Sequence, residues 1–277
     1  MTLRDAVIQA IIQGLTEFLP ISSSGHLKLY QAMTGQPVKE GTFLLVILHL
    51  GTLAAVCIAF RETLRGLCAE AWAMLRGLLT GTLLKQPANP QRRMLLMLCI
   101  STALLVPFYM IKDVFEQVTL PVLALCFLFT SLELFFAGRF RSNVKTAGEM
   151  RIKDAVLIGL FQCAALFPGI SRSGSTVSGG LFAGLEKETA VQYSFVLGIP
   201  AILGGCAAEL ASAVKGEVQV DAAAAVLGFI TAAVTGILAI RFVRALLRSD
   251  KFTIFSVYTL AVSILTVGYW LWSAGPA

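Results

Sequence analysis

Long apolar runs alternate with short basic connections along most of this 277-residue chain. Six runs approach the length of about 20 residues that crosses a bilayer, near 42–60, 94–111, 119–137, 190–212, 221–241 and 253–272. Only 14% of the residues are charged, whereas a soluble domain averages roughly 25%. The pattern excludes a soluble protein and predicts an all-α polytopic membrane protein with about six transmembrane helices.

Two further stretches are too polar and too short for ordinary spans, namely 5–34 and 154–185. In the first, Pro20 interrupts an apolar helical run, and a small polar loop of three serines, Gly25 and His26 follows. Non-helical backbone at membrane depth is tolerated only where protein buries it or water fills a cavity. We therefore expect each stretch to form a re-entrant helical hairpin.

The two hairpins are copies of one another. Residues 3–26 align without a gap with residues 152–175, and nine of the 24 pairs are identical, those of Asp5, Ala6, Val7, Gln13, Phe18, Ile21, Ser22, Ser24 and Gly25. The chain is therefore predicted to be a single membrane domain made of repeat 1 (about 1–137), a basic loop (138–153) and repeat 2 (154–277). Each repeat has a hairpin and three spans, an odd number, so the repeats should be inverted.

Basic residues predict the orientation. The connections 61–93, 138–153 and 241–251 hold 15 of the 22 lysines and arginines, which places them in the cytoplasm. The first hairpin would then enter from the outer face, the second from the inner face, and both would meet near the midplane. Because the basic residues lie in short loops between apolar spans, membrane lipids are the expected surroundings and a nucleic-acid partner is not expected. A homo-oligomer is compatible with the sequence.

Arg172 carries the most information of any single residue. An arginine near the bilayer centre costs roughly 2.5–3.5 kcal/mol, so it needs an anionic partner. That partner is either an internal carboxylate, Glu17 or Glu133, or an anionic ligand, and the guanidinium fork suits phosphate. Hydroxyls and backbone amides at a predicted helix start surround Arg172 and favour an anion, those of Ser171, Ser173, Gly174 and Thr176.

Gln13 and Glu17 are four residues apart and share one helical face. They are either a structural polar pair or ligands of a divalent cation, with Mg²⁺ the first choice and Ca²⁺ the second. Mg²⁺ is commonly held by one or two carboxylates and by substrate phosphates. One glutamate and one amide would suffice if the substrate were a diphosphate.

The Ser22-Ser23-Ser24-Gly25-His26 run is either a helix cap or part of a catalytic site. Beside a phosphate site, His26 favours a role as acid, base or nucleophile. His49 is interpreted as a buried structural or gating residue. A carboxylate, a hydroxyl, an imidazole and an arginine together suit phosphoryl transfer, and the surrounding lipid favours a lipid phosphate or diphosphate.

At these residues the chain resembles the undecaprenyl-diphosphate phosphatase family of bacteria, also called the bacitracin-resistance family. One family motif appears from Gln13 to His26 and the second from Pro168 to Thr176; the length and span pattern match throughout. The resemblance implies hydrolysis of the terminal phosphate of C55 isoprenoid diphosphate, which recycles the carrier lipid for cell-wall synthesis. It also implies an inner-membrane location and a metal-dependent site that opens toward the outer face.

The resemblance implies the following roles. Glu17 would be the metal ligand and catalytic carboxylate with Gln13 beside it, Arg172 would bind phosphate, and Ser23 or His26 would attack phosphorus. The remaining pocket residues would be Ser22, Ser24, Gly25, Ser171, Ser173, Gly174 and Thr176. The chain departs from many members at two positions. They have Glu where this chain has Gln13, and they have an arginine after the tyrosine where this chain has Thr259 after Tyr258.

Two other functions compete with this interpretation. Inverted repeats whose hairpins meet at the midplane are also a transporter plan, so a flippase or transporter of an isoprenoid phosphate could use the same residues. A lipid phosphatase of the phosphatidic-acid type would need a second histidine beyond the Ser-Arg pair. The only histidines are His26 and His49, which disfavours it.

Overall fold

The computed structural model describes residues 3–35, 43–82, 89–111, 114–115, 117–139, 144–213, 222–249 and 251–273. Its helices are α1 (Leu3–Phe18), α2 (Ser23–Thr34), α3 (Phe43–Ala59), α4 (Arg61–Leu79), α5 (Pro90–Tyr109), α6 (Leu120–Ala137), α7 (Ile152–Ala164), α8 (Arg172–Phe182), α9 (Lys187–Ala213), α10 (Ala222–Arg248) and α11 (Ile254–Ser273). A short 3₁₀ turn at Ala147–Glu149 precedes α7.

Five of these helices, α5, α6, α9, α10 and α11, are long and apolar enough to cross a membrane. A sixth candidate is α3, which continues into α4 across a bend of 87°. Over the described ranges these six match the six runs of the sequence, and the predicted all-α polytopic fold is confirmed.

Helix α4 forms part of the predicted basic connection 61–93 and is amphipathic. Its Glu70 is buried and accepts hydrogen bonds from Asn89 Nδ2 at 2.7 Å and Arg92 Nε at 2.5 Å. The bond from Asn89, together with the adjacent Arg92, lowers the pKa of Glu70. These contacts join α4 to the start of α5, while Trp72 remains 64% exposed on the opposite face.

The two predicted hairpins are present as α1/α2 and α7/α8. Equivalent helices begin 149 residues apart, at Leu3 and Ile152 and again at Ser23 and Arg172. The predicted polar loop after Pro20 is shorter than expected, because α2 already begins at Ser23. Ser22 Oγ caps that helix by accepting a hydrogen bond from Gly25 N, so the residues from Ser23 to His26 lie in its first turn.

The contacts of α2 and α8 show that the hairpins are inverted. Helix α2 runs along α11, from the His26–Tyr258 contact to a hydrogen bond from Tyr269 Oη to Ala32 O. Helix α8 likewise runs along α6, with contacts from Ser171–Thr130 to Ser175–Glu133. Helices α6 and α11 are antiparallel. Ser131 Oγ donates a hydrogen bond to Ser256 O, whereas the earlier residue Ala124 accepts one from the later residue Ser263. The hairpins therefore enter the bundle from opposite ends.

The loops of the two hairpins meet in the middle of the bundle. Gly169 N donates to Ser22 Oγ at 3.1 Å, and a β-carbon on Gly25 would lie 2.8 Å from Gly169 Cα. Thr130, within the 18-residue α6, donates to Gly169 O and accepts from Ser171 N. Backbone of both repeats is thus packed together at one place, where protein buries it.

The packing of α1 on α10 gives a stability prediction. A β-carbon on Gly14 would lie 1.9 Å from Thr235 Oγ1 and 2.6 Å from Ala232 O, whereas one on Gly268 of α11 would meet nothing within 4 Å. Overpacking costs about 1–3 kcal/mol, so Gly14→Ala should lower the Tm measured in detergent. Gly268→Ala is the control and should leave the Tm unchanged or raised. Equal Tm values for the two variants would contradict the close packing of α1 on α10.

Candidate functional site

Glu17 is the centre of a polar cluster formed by both hairpins. Its Oε2 accepts hydrogen bonds from Gln13 Nε2 at 2.8 Å and from Ser23 Oγ at 2.9 Å. Its Oε1 forms an ion pair with Arg172 Nη2. The side chains of Glu17 and Arg172 are only 7% and 17% exposed. A buried carboxylate, a hydroxyl and a guanidinium are therefore in direct contact where the hairpins meet.

Arg172 begins α8 and reaches across to α1. Of the two internal partners considered from the sequence, it pairs with Glu17; Glu133 instead accepts a hydrogen bond from Ser175 Oγ at 2.9 Å. A β-carbon on Gly198 of α9 would lie 1.9 Å from Arg172 Nη1, so the glycine makes room for the guanidinium. Nη1 is buried and has no hydrogen-bond partner within the described ranges. The second edge of the guanidinium fork therefore lies against Gly198 and makes no hydrogen bond among the described residues.

The side-chain oxygen of Gln13, like Arg172 Nη1, is buried without a hydrogen-bond partner in the described part of the chain, while Nε2 of the same amide donates to Glu17. Within this same part of the chain, no group of three or more His, Cys, Asp or Glu side chains could hold a metal ion. One carboxylate beside one unpartnered amide oxygen is an all-oxygen donor set, which fits Mg²⁺ when the substrate supplies further oxygens.

His26 lies in the first turn of α2, three residues after Ser23. Its Nδ1 is 2.7 Å from Ser22 O, and its Nε2 is 2.9 Å from Tyr258 Oη on α11. Phe127 of α6 meets the imidazole edge to face, with ring centroids 5.3 Å apart. His26 therefore belongs to the same region as Ser23, but both of its ring nitrogens are directed to other partners.

The other predicted pocket residues mainly hold the hairpin loops. Ser22 Oγ and Ser171 Oγ accept from the amides of Gly25 and Gly174 at the two helix starts. Ser24 Oγ is 3.5 Å from Ser22 Oγ, Ser173 Oγ donates to Leu19 O, and Thr176 Oγ1 bonds Arg172 O and Ser194 Oγ. These bonds fix the loops that present Ser23 and Arg172.

Sequence reasoning missed three contributors to this region: Tyr258, Thr130 and Gly198. None belongs to a hairpin, and each looks like an ordinary residue of an apolar span. Glu133 was considered only as a partner for Arg172. The last span of each repeat contains a polar residue, and that was the available signal for Tyr258 and Glu133.

Two further residues considered from the sequence make hydrogen bonds within their own helices. His49 on α3 donates from Nδ1 to Leu45 O at 2.9 Å, and Thr259 Oγ1 donates to Phe255 O.

The fold and the site define a polytopic membrane protein with inverted repeats and a buried carboxylate–serine–arginine cluster where its hairpins meet. Residues 6–265 match the family model described as bacitracin resistance protein BacA. Similar proteins include the undecaprenyl-diphosphatase of Carboxydothermus hydrogenoformans, 37% identical over 95% of this chain and 96% of that protein. The undecaprenyl-diphosphatase of Alkaliphilus metalliredigens is 35% identical over 96% of this chain and 98% of that protein. The chain belongs to the bacitracin resistance protein family, and the resemblance seen in its sequence is confirmed.

Proposed function

We propose that this protein is an undecaprenyl-diphosphatase that removes the terminal phosphate of C55 isoprenoid diphosphate and leaves undecaprenyl phosphate. The observation that carries the proposal is the Glu17–Ser23–Arg172 cluster, assembled from both hairpins inside a membrane-spanning bundle. The similarity to proteins named undecaprenyl-diphosphatase supports the same substrate.

In this mechanism Arg172 binds the terminal phosphate and neutralises charge that develops in the transition state. Its Nη1, which makes no hydrogen bond among the described residues, donates to one phosphate oxygen, and Nη2 leaves Glu17 to donate to a second. A guanidinium is suited to this because its two edges can hold two oxygens of one phosphate.

Ser23 is the nucleophile, since its hydroxyl already donates to Glu17 at 2.9 Å. Glu17 accepts the hydroxyl proton while the Ser23 Oγ–phosphorus bond forms and the bond from phosphorus to the bridging oxygen breaks. Undecaprenyl phosphate leaves with that oxygen. Water then attacks the phosphoserine, the bond from phosphorus to Ser23 Oγ breaks, and Glu17 returns its proton to that oxygen as inorganic phosphate leaves.

His26 is the base for the second step. Ser23 and His26 are at positions i and i+3 of α2, and side chains with that spacing are neighbours on one helix face. The Nε2 atom of a neutral imidazole can take a proton from the attacking water. Serine and histidine thus serve successive steps.

Glu17 and Gln13 would hold the divalent cation, most readily Mg²⁺, with Ca²⁺ as the alternative. When bound, the cation would neutralise the charge of the diphosphate and stabilise the leaving phosphate. The unpartnered Oε1 of Gln13 supports this assignment.

Gln13→Glu tests the metal assignment. A second carboxylate adds a charged ligand, so we expect the Mg²⁺ concentration that gives half-maximal activity to fall about tenfold. Gln162→Glu is the matched control, because Gln162 occupies the equivalent position of repeat 2, where Leu166 replaces the glutamate. An unchanged Mg²⁺ requirement in Gln13→Glu would remove Gln13 from the metal site.

The proposed location is the bacterial inner membrane, with the site open to the outer face. The charge distribution supports this orientation, because α4 and the starts of α7 and α9 lie at one basic end of the bundle. There, Arg93 Nε donates to Met150 O, and Arg248 pairs with Glu188. A basic end is expected to face the cytoplasm.

Phosphate release by the purified protein tests the function directly. In detergent, where no gradient exists, we expect metal-dependent release of phosphate from C55 isoprenoid diphosphate. Activity that survives EDTA would exclude the cation, while the phosphatase assignment would stand. No release by well-folded protein would favour transport of an isoprenoid phosphate, with Arg172 as the residue that binds the cargo.

A further inference from the structure

The imidazole of His26 is held at both nitrogens. Ser22 O, 2.7 Å from Nδ1, is a carbonyl oxygen and can only accept a hydrogen bond, so Nδ1 must carry a proton. In the neutral ring Nε2 then has the free lone pair. Tyr258 Oη, 2.9 Å away, must donate to it. The two partners together fix a single tautomer.

Ring packing fixes the orientation as well. Tyr258 stacks on His26 with centroids 5.7 Å apart and planes 10° apart, and Phe127 meets it at 81°. Tyr258 is 44% exposed, so burial of its ring does not explain its position. Its polar contact is made to a residue 232 positions away, in the other repeat.

Repeat 2 has a hydrogen bond at the position equivalent to the His26–Tyr258 contact, but different residues make it. Ser175 is the equivalent of His26 in the repeat alignment, and its hydroxyl donates to Glu133 of α6. In both repeats, then, the first turn of the second hairpin helix is bonded to the last span of the opposite repeat. Only repeat 1 places an imidazole there. The contact with Tyr258 is therefore part of the architecture, and its chemistry is specific to the half that contains Ser23.

We propose that Tyr258 is a positioning residue for His26. Its hydroxyl keeps Nε2 unprotonated and holds it directed away from the backbone of α2. In the second step Nε2 gives up the hydrogen bond from the tyrosine and accepts a proton from the attacking water. The proposal rests on the proposed phosphatase function for its kinetic consequence. The tautomer and the hydrogen bond can be measured without any activity.

Nuclear magnetic resonance of protein labelled with ¹⁵N-histidine tests the pairing. The chain has two histidines, and the signals that disappear in His26→Gln belong to His26. We expect a protonated Nδ1 and an unprotonated, hydrogen-bonded Nε2 in the wild type, and a shifted Nε2 signal in Tyr258→Phe. Tyr269→Phe is the control, because it removes another hydroxyl of α11 that bonds α2, at Ala32 O. Identical His26 signals in Tyr258→Phe and wild type would overturn the proposal.

Kinetics test whether the pairing matters for turnover. Tyr258→Phe should lower kcat about tenfold, a part of the roughly 10²- to 10⁴-fold that general acid–base catalysis contributes, with little change in KM. Tyr269→Phe should change neither. In a His26→Gln background the same Tyr258→Phe substitution should have no further effect. Equal losses in both backgrounds would mean that Tyr258 does not act through His26. If the wild type released no phosphate, the phosphatase function would fail while the ¹⁵N result still decided the pairing.

Discussion

Replacing Arg172 with alanine should lower the kcat/KM for phosphate release by about 10³-fold or more, the range in which arginines that stabilise phosphoryl transfer act. The variant loses both edges of the fork that would hold the terminal phosphate. Arg172→Lys should recover little, because a lysine offers a point charge without the two-edged geometry. Phosphate release in detergent measures both.

The control for Arg172 is Arg248→Gln. Arg248 also pairs with a glutamate, Glu188, but its side chain is 69% exposed, and such surface pairs contribute about 0–1 kcal/mol. We expect full activity from it. Near-wild-type turnover in Arg172→Ala would refute the role of this arginine and the proposed mechanism with it.

Glu17→Gln should lower kcat by about 10²- to 10⁴-fold, the usual contribution of a general base. The amide keeps the shape of the side chain but cannot accept the proton of Ser23. It also leaves Arg172 as a buried cation without a carboxylate, and losing one partner of a buried ion pair costs about 3–5 kcal/mol. Both activity and thermal stability should therefore fall.

A double variant separates those two effects. Glu17→Leu combined with Arg172→Met removes both charges, and well-packed apolar replacements of a buried pair are often neutral or stabilising. Repeat 2 already has Leu166 at the position equivalent to Glu17. The double variant should regain the Tm that Glu17→Gln loses while remaining inactive. Restored activity would show that the pair is structural only.

The spans, the hairpins and their inversion could be predicted because each depends on local pattern or on the internal alignment. Apolar runs of sufficient length determine the spans, and the odd number of spans per repeat determines the inversion. The Glu17–Arg172 pairing was one of three alternatives from the sequence, since a buried arginine needs an anionic partner and Glu17, Glu133 or an anionic ligand could supply it. Geometry alone could decide between Glu17 and Glu133.

Other features could not be read from the sequence, because they depend on contacts between distant residues. The start of α2 at Ser23 follows from the cap and from the packing of Gly25 on Gly169. The direction of His26 Nε2 depends on Tyr258, which is 232 residues away. The room for Arg172 depends on Gly198 of α9. The metal remains a prediction.

The meeting of the two loops has a consequence for biosynthesis. Glu17 emerges from the ribosome 155 residues before Arg172, and Ser22 emerges 147 residues before Gly169. Until repeat 2 follows, the first hairpin has neither a counter-charge nor a packed surface for its loop, and unsatisfied polar groups in hydrocarbon each cost several kcal/mol. We therefore expect the first hairpin to settle into the bundle only after repeat 2 has been made. The Glu17–Ser23–Arg172 cluster would then be assembled in one of the last steps of folding, after most of the chain has entered the membrane.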